Sequence, residues 1–277
     1  MISVDISNRG RLAKFYQGYK WNYLPDAILE GIMGEALVDD KADPRVAVLQ
    51  IPKLKISIPG GDAHHPAGRE FIKSLPRFSA LICASQEWEE LLQETLAGKL
   101  IGMQRYAFTS EKLDIDHLRK LASQIPAGYR FRRIDLSLAK QLAAERSEFA
   151  SAHMRNFDSP EDFIARGFGF CALDGDQIVS AATTFVVCSK GIEIEVGTRE
   201  KQRGKGLATA VSAQLLVHSL QHGLNPHWDA ENKRSVGLAE KLGYMPQGTY
   251  NLWLVAGSKL MERAVRSLLK IQSFFNP

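Results

Sequence analysis

A run of alternating residues, Ile192-Glu193-Ile194-Glu195-Val196, leads through a short polar turn into Arg203-Gly204-Lys205-Gly206. An apolar stretch of helical spacing then begins at Leu207-Ala208-Thr209 and continues to His222, where Gly223 stops it. This strand, glycine loop and helix in succession constrain the chain more than anything else in it. Two glycines let the backbone bend sharply and let a ligand approach the amides. The first amides of the helix have no acceptor within it and lie at the positive end of its dipole. Arg203 and Lys205 add two cations. Together these features predict an anion site shaped for a phosphate or pyrophosphate.

The loop fits neither common nucleotide pattern. A phosphate-binding Walker loop needs Gly-x-x-x-x-Gly-Lys-Ser/Thr. A dinucleotide fold needs Gly-x-Gly-x-x-Gly after the first strand, with an acid further on. Here Ala208 and Thr209 follow the glycines, and the segment comes late in a run of antiparallel-looking strands.

The surrounding pattern alternates strands and helices, which implies an α/β layer structure. In the first half, Pro25 to Val38 reads as a helix and Val46 to Ile51, Leu54 to Ile58 and Ser79 to Ala84 as strands. Gln86 to Ala97 reads as a helix, Leu100 to Phe108 as a strand and Glu111 to Ser123 as a helix. Ile125-Pro126-Ala127-Gly128 is the best break in the chain, so domains are expected at 1–127 and 128–277. Beyond it, Tyr129 to Ile134 reads as a strand and Leu138 to Phe149 as a helix. Gly169 to Leu173 and Ile178 to Val187 read as a hairpin turning on Asp174-Gly175-Asp176. His227 to Asp229 is a strand, Ser235 to Leu242 a helix, Gly248 to Val255 a strand, and Ser258 opens a final amphipathic helix.

Bulk properties exclude several classes. The 277 residues are long enough for two cores. The net charge of +4 comes from cations scattered among 31 acidic residues, without the basic stripe of a nucleic-acid binder. Three cysteines, none in a Cys-x-x-Cys pair, argue for a reducing compartment. No secretory signal and no apolar run of spanning length is present, so a cytoplasmic protein without a membrane partner is expected.

Downstream of the loop, Trp228-Asp229-Ala230-Glu231-Asn232 is followed by Ser235 and by Leu238-Ala239-Glu240-Lys241-Leu242-Gly243-Tyr244. Arg203-x-x-Gly206-x-Ala208 and this second segment together resemble the two signatures of the GNAT superfamily of N-acyltransferases. The resemblance covers roughly residues 128–257, and the two-part chain is similar to bacterial two-domain GNAT proteins of the zwittermicin-resistance type. It implies a C-terminal GNAT fold, a mixed and mostly antiparallel sheet flanked by helices, preceded by a smaller α/β domain. It implies acetyl-CoA as co-substrate, no metal, and transfer of the acetyl group to an amine of a small molecule by direct attack on the thioester. The resemblance also implies residue roles. Backbone groups of Val196 and Thr198 would pair with the pantetheine arm as an added strand would. Amides from Arg203, Gly204, Lys205, Gly206, Leu207 and Ala208, with Thr209 beside them, would hold the pyrophosphate. Asn232 and Ser235 would meet the far end of the arm or the adenosine.

An amine must be neutral to attack, so a carboxylate is needed to take its proton. Alternation puts Glu193 and Glu195 on one face of their strand and Ile192, Ile194 and Val196 on the other. Glu195 is the favoured base, being nearer the loop, with Glu193 the runner-up. The same alternation also describes the solvated face of an antiparallel sheet. Many family members carry a tyrosine acid where this chain has Ala239, so the resemblance leaves the proton donor open. Tyr244 is expected to pack in the core, with Tyr250 and solvent as other donors. A non-catalytic acyl-CoA-binding or scaffolding protein is the alternative reading. His218 and His222 have a metal-ligand spacing that His227 or Asp229 would complete, but no accompanying Glu motif supports it. A homodimer is left open.

Overall fold

The computed structural model describes residues 1–256, so the amphipathic helix expected from Ser258 lies outside the described residues. In chain order the first elements are β1 (Ile2–Val4), α1 (Ile6–Arg9), α2 (Leu24–Leu29), β2 (Glu35–Val38), β3 (Val46–Ile51), β4 (Ile56–Gly61), α3 (Pro66–Ser74), β5 (Ala80–Leu81), α4 (Gln86–Thr95) and β6 (Leu100–Thr109). There follow α5 (Ile115–Ala122), β7 (Tyr129–Arg133), α6 (Leu136–Ala144), α7 (Glu148–Met154), α8 (Pro160–Arg166), β8 (Gly169–Asp174) and β9 (Gln177–Cys188). The last are β10 (Gly191–Thr198), α9 (Leu207–Gln221), β11 (Asn225–Ala230), α10 (Lys233–Leu242) and β12 (Met245–Val255).

Two compact units divide the chain, Met1–Arg105 with the segment from Thr249, and Tyr106–Gly248. The break expected at Ile125–Gly128 therefore falls inside the second unit. Its cause is α5, whose Leu118 and Leu121 pack with Ala213 and Leu216 of α9 in one apolar cluster. Burying that face ties α5 to the residues after the turn, and a Pro-Gly turn cannot separate segments that share a core.

In the first unit, β1 to β4 form an antiparallel series, β5 joins β4 in parallel, and β12 pairs antiparallel with β5. Its core gathers Val46, Val48, Phe71, Ile72, Trp88 and Leu92. The single helix expected over Pro25–Val38 is replaced by α2 and β2. Gly31 and Gly34 sit between them with φ of 76° and 61°, a left-handed backbone that ends a helix. A side chain at Gly34 would also collide with the Gln50 carbonyl.

The second unit is a mixed, mostly antiparallel sheet in the order β6-β11-β10-β9-β8-β7, with β10 and β11 its parallel pair. Alternation sorts the two faces. Cys171, Leu173 and Ala181 point to a cluster with Leu138, Leu142, Met154 and Phe163 of α6 to α8. Ala172, Ala182 and Ile192 point to Leu207, Val211 and Leu215 of α9. The sheet thus has helices on both faces, as the sequence implied. The helix expected over Leu138–Phe149 is two helices. Ser147 caps α7 by accepting from the Ala150 amide at 3.1 Å, and Arg199 pairs with Glu145 in the turn between them. A cap and a distant cation outweigh the helical periodicity there.

Candidate functional site

β10 and β11 run together only from Gly191–Asn225 to Glu193–His227. Beyond that pair β11 turns to β6, matching Trp228 with Phe108 and Ala230 with Tyr106. β10 stays with β9 as far as Thr198 opposite Ser180. The two strands therefore fork, and from Ile194 to Thr198 the edge of β10 away from β9 has no strand beside it among the described residues. The register on β9 slips at the same point: Glu193 faces Val186 and Ile194 faces Thr184, leaving Phe185 as the extra residue. A bulge of this kind increases local twist and helps turn β10 away.

The open edge leads to the glycine loop. Gly204 and Gly206 have φ of 79° and 81°, and α9 starts at Leu207 with no side chain capping it. Leu207 and Thr209 are buried at the start of α9, whose first turn follows directly on the glycine loop. Arg203 is exposed and its Nε donates to the Thr198 carbonyl at 3.4 Å, joining the loop to the end of β10. Lys205 donates to the Tyr129 hydroxyl at 2.9 Å and to Gln202 Oε1 at 2.6 Å. Two of its three donors are thereby anchored, and its charge stays beside the loop. A cavity of about 360 Å³ adjoins this corner, with Lys205, Gly206, Thr209 and Lys241 in its wall.

At the root of the fork, the face expected to carry both acids does carry them, but their surroundings differ. Glu193 and His227 are both buried, at 6% and 8% exposure. His227 Nδ1 lies 3.1 Å from Glu193 Oε1 and 3.2 Å from Oε2. Burial opposes charge on the imidazole, yet the charge and hydrogen bond of Glu193, with Asp229 nearby, raise its pKa above the ordinary value. Glu193 is thus not on a solvated face. Glu195, the next residue on that face, is partly open and pairs with Arg155 at 3.3 Å. Beyond it Gly197 leaves room for α7: a Cβ there would lie 3.0 Å from His153 Nε2 and from the Phe149 ring. His153 Nδ1 meets Thr183 Oγ1 at 2.8 Å. Complete burial, then the charge of Arg155, lowers its pKa to about 3, so it is neutral.

Asn232 and Ser235 stand at the start of α10. Asn232 caps it by accepting from the Ser235 amide at 3.1 Å, and Ser235 Oγ accepts from Trp228 Nε1 at 3.2 Å. Tyr244 is in the core as expected, its hydroxyl donating to the Pro226 carbonyl at 3.0 Å and its ring against Trp228. Ala239 is fully buried. Tyr250 belongs to the first unit, where it stacks on Trp21. His218 packs on Phe168 and Phe170. All three cysteines are buried thiols, and burial pushes Cys171 up to about 12.

Sequence reasoning weighed His227 only as a metal ligand and missed Arg155, Arg199 and His153. His153 lies on α7 and Arg155 caps its C-terminus, both beyond Phe149, where the sequence reading ended its helix. Arg199 was read only as part of a polar turn, whereas its Nε donates to the Ile178 carbonyl at 2.6 Å and its guanidinium lies 4.8 Å from the centre of the Phe149 ring.

A parallel pair that forks, a glycine loop beyond the open edge and helices on both faces define an acyltransferase of the GNAT type. The chain belongs to that family: the GNAT acetyltransferase family model matches residues 14–253. The match begins well before the stretch that holds the signature motifs. An uncharacterised N-acetyltransferase of Bacillus subtilis strain 168, YdfB, is 30% identical over 187 residues, covering 66% of this chain and 68% of the relative. A solved GCN5-related N-acetyltransferase-like protein from Streptococcus suis 89/1591 superposes with a TM-score of 0.78 at 31% identity, over 90% of this chain and 98% of that one. A GCN5-related N-acetyltransferase from Sphaerobacter thermophilus, 14% identical, shares the fold with a TM-score of 0.57 over 91% and 93% of the two chains.

Proposed function

We propose that the chain is an acetyl-CoA-dependent N-acetyltransferase acting on an amine of a small molecule. Family membership supports acyl transfer in general. The fork joined to the glycine loop supports acetyl-CoA as donor, and this observation carries the reading. From its last pair with β11 at Glu193 to its end at Thr198, β10 runs five residue steps, roughly 17 Å at the rise of a β-strand. That suits an extended pantetheine arm whose pyrophosphate sits on the loop amides and whose thioester reaches the fork.

In this reading the backbone of Val196 and Thr198 pairs with the arm. The amides from Arg203 to Ala208, with Arg203 and Lys205 beside them, hold the pyrophosphate. Asn232 and Ser235 act by fixing the start of α10. Glu195 is the base: it is the first acid past the root of the fork and, unlike Glu193, is partly open, so it can take the proton of an incoming ammonium. Arg155 orients it.

Calorimetric titration with acetyl-CoA tests the first half, and thiol release across a panel of primary amines tests the second. Binding is expected, with turnover on at least one amine that Glu195→Gln lowers by about a hundredfold or more. Near-normal turnover by Glu195→Gln would remove it as the base. Binding without turnover on any amine would favour a non-catalytic acyl-CoA-binding protein, and absence of binding would end the reading.

A further inference from the structure

The reaction leaves a thiolate, and the residues considered so far give it no proton. Ala239 has no acidic group, and the Tyr244 hydroxyl is committed to the Pro226 carbonyl in the core. One ionisable pair stands at the root of the fork, on the face shared with Glu195. His227 is the last residue of β11 that pairs with β10, directly opposite Glu193. Its Nδ1 faces the Glu193 carboxylate, which fixes the ring and turns Nε2 away from that carboxylate.

We propose that His227 is the acid of the transfer, giving its Nε2 proton to the departing thiolate. The inference rests on the acetyl-CoA reading above, because that reading puts the thioester at the fork. The amine nitrogen bonds to the carbonyl carbon, and the C–S bond breaks with its electron pair left on sulfur. Sulfur takes the proton of the imidazolium, which becomes neutral. Glu195 passes the first proton of the ammonium to solvent before the attack and then takes the surplus proton of the bonded nitrogen. Once the products leave, that proton is released and one proton restores the imidazolium, so the enzyme ends as it began with one net proton set free. Glu193 is the positioning residue that orients the imidazole and favours its charged form. The charged groups facing His227 are Glu193 on β10 and Asp229 on its own strand. Burial opposes the charge, but both carboxylates favour the imidazolium, so the acid holds its proton to higher pH than a free imidazole does.

The test needs no acceptor. Coenzyme A is bound to the wild-type chain, to His227→Gln and to Glu193→Gln, and its thiol is titrated by the ultraviolet absorbance of the thiolate. Desulfo-coenzyme A serves as the blank. An imidazolium beside the sulfur should lower the bound thiol's pKa by about 1–3 units relative to His227→Gln. In Glu193→Gln the imidazolium should lose its proton at lower pH, so the depression should vanish about a unit or more earlier on the alkaline side. The same thiol titration in the wild type and both variants, with coenzyme A bound in each, would overturn the assignment while leaving the cofactor reading intact. No calorimetric binding of coenzyme A to the wild type would instead remove the reading on which it rests. Should His227→Gln fail to fold, the Glu193→Gln comparison decides by itself.

Discussion

Two glycines of the second unit should respond to the same substitution in opposite directions. Gly206, at the entry to α9, has a φ of 81°, and a Cβ built on it meets nothing within 4 Å. Gly237 lies in α10, and its Cβ also meets nothing within 4 Å. Packing therefore cancels, and only backbone preference remains. An L-residue in the left-handed region costs about 1–2 kcal/mol, so Gly206→Ala should destabilise by about that much. Alanine inside a helix is favoured over glycine by about 0.5–1 kcal/mol, so Gly237→Ala should stabilise. The two variants should then stand about 1.5–3 kcal/mol apart. With a urea slope of about 3 kcal/mol per molar, their unfolding midpoints should differ by roughly 0.5–1 M, with the wild type between them. Acetyl-CoA affinity read by calorimetry should fall in Gly206→Ala, whose loop amides must relax, and stay unchanged in Gly237→Ala. A Gly206→Ala protein with wild-type midpoint and affinity would show that the loop does not depend on its left-handed backbone.

His153 should make the fold sensitive to acid. Its folded pKa of about 3 lies below the ordinary 6.5, so the unfolded chain binds that proton first. Its contribution is complete above the ordinary value and is lost as pH falls from there toward 3, by up to about 1.4 kcal/mol per unit. Urea midpoints between pH 7 and 5 should fall less steeply in His153→Gln, and an unchanged slope would refute the burial argument. Arg199→Ala removes a bond to the Ile178 carbonyl, the Glu145 pair and the cover over Phe149, at a cost of about 2 kcal/mol. Hydrogen exchange should speed up at the turn joining α6 to α7; unchanged protection there would show that Ser147 alone holds the turn.

The features legible in the sequence were local. The β10, glycine loop and α9 succession, the hairpin at Asp174-Gly175 and the split of β10 into acidic and apolar faces each depend on neighbours along the chain. Period two, a left-handed glycine and an amphipathic run are written in adjacent residues. Where two signals competed within a few residues the reading failed. Gly31 and Gly34 outweighed apolar periodicity between α2 and β2, and Ser147 with Arg199 divided α6 from α7.

The candidate site shows the same division. Sequence alone supplied the loop, both carboxylates and the family that they suggest. It could not supply the environment of those carboxylates. Glu193 and His227 are 34 residues apart, and α9 stands between them in the chain. Which residue of β11 faces Glu193 is set by how a crossover helix packs on the sheet, and a shift of one position would turn His227 to the opposite face. Glu195 meets Arg155 at the end of α7, beyond Phe149, where the sequence reading had ended its helix. The chain's own pattern thus determined where a glycine loop meets a helix start and which acids share a face. Only the tertiary structure decided which acid is sealed against a histidine and which stays open, because burial and register are properties of strands brought together.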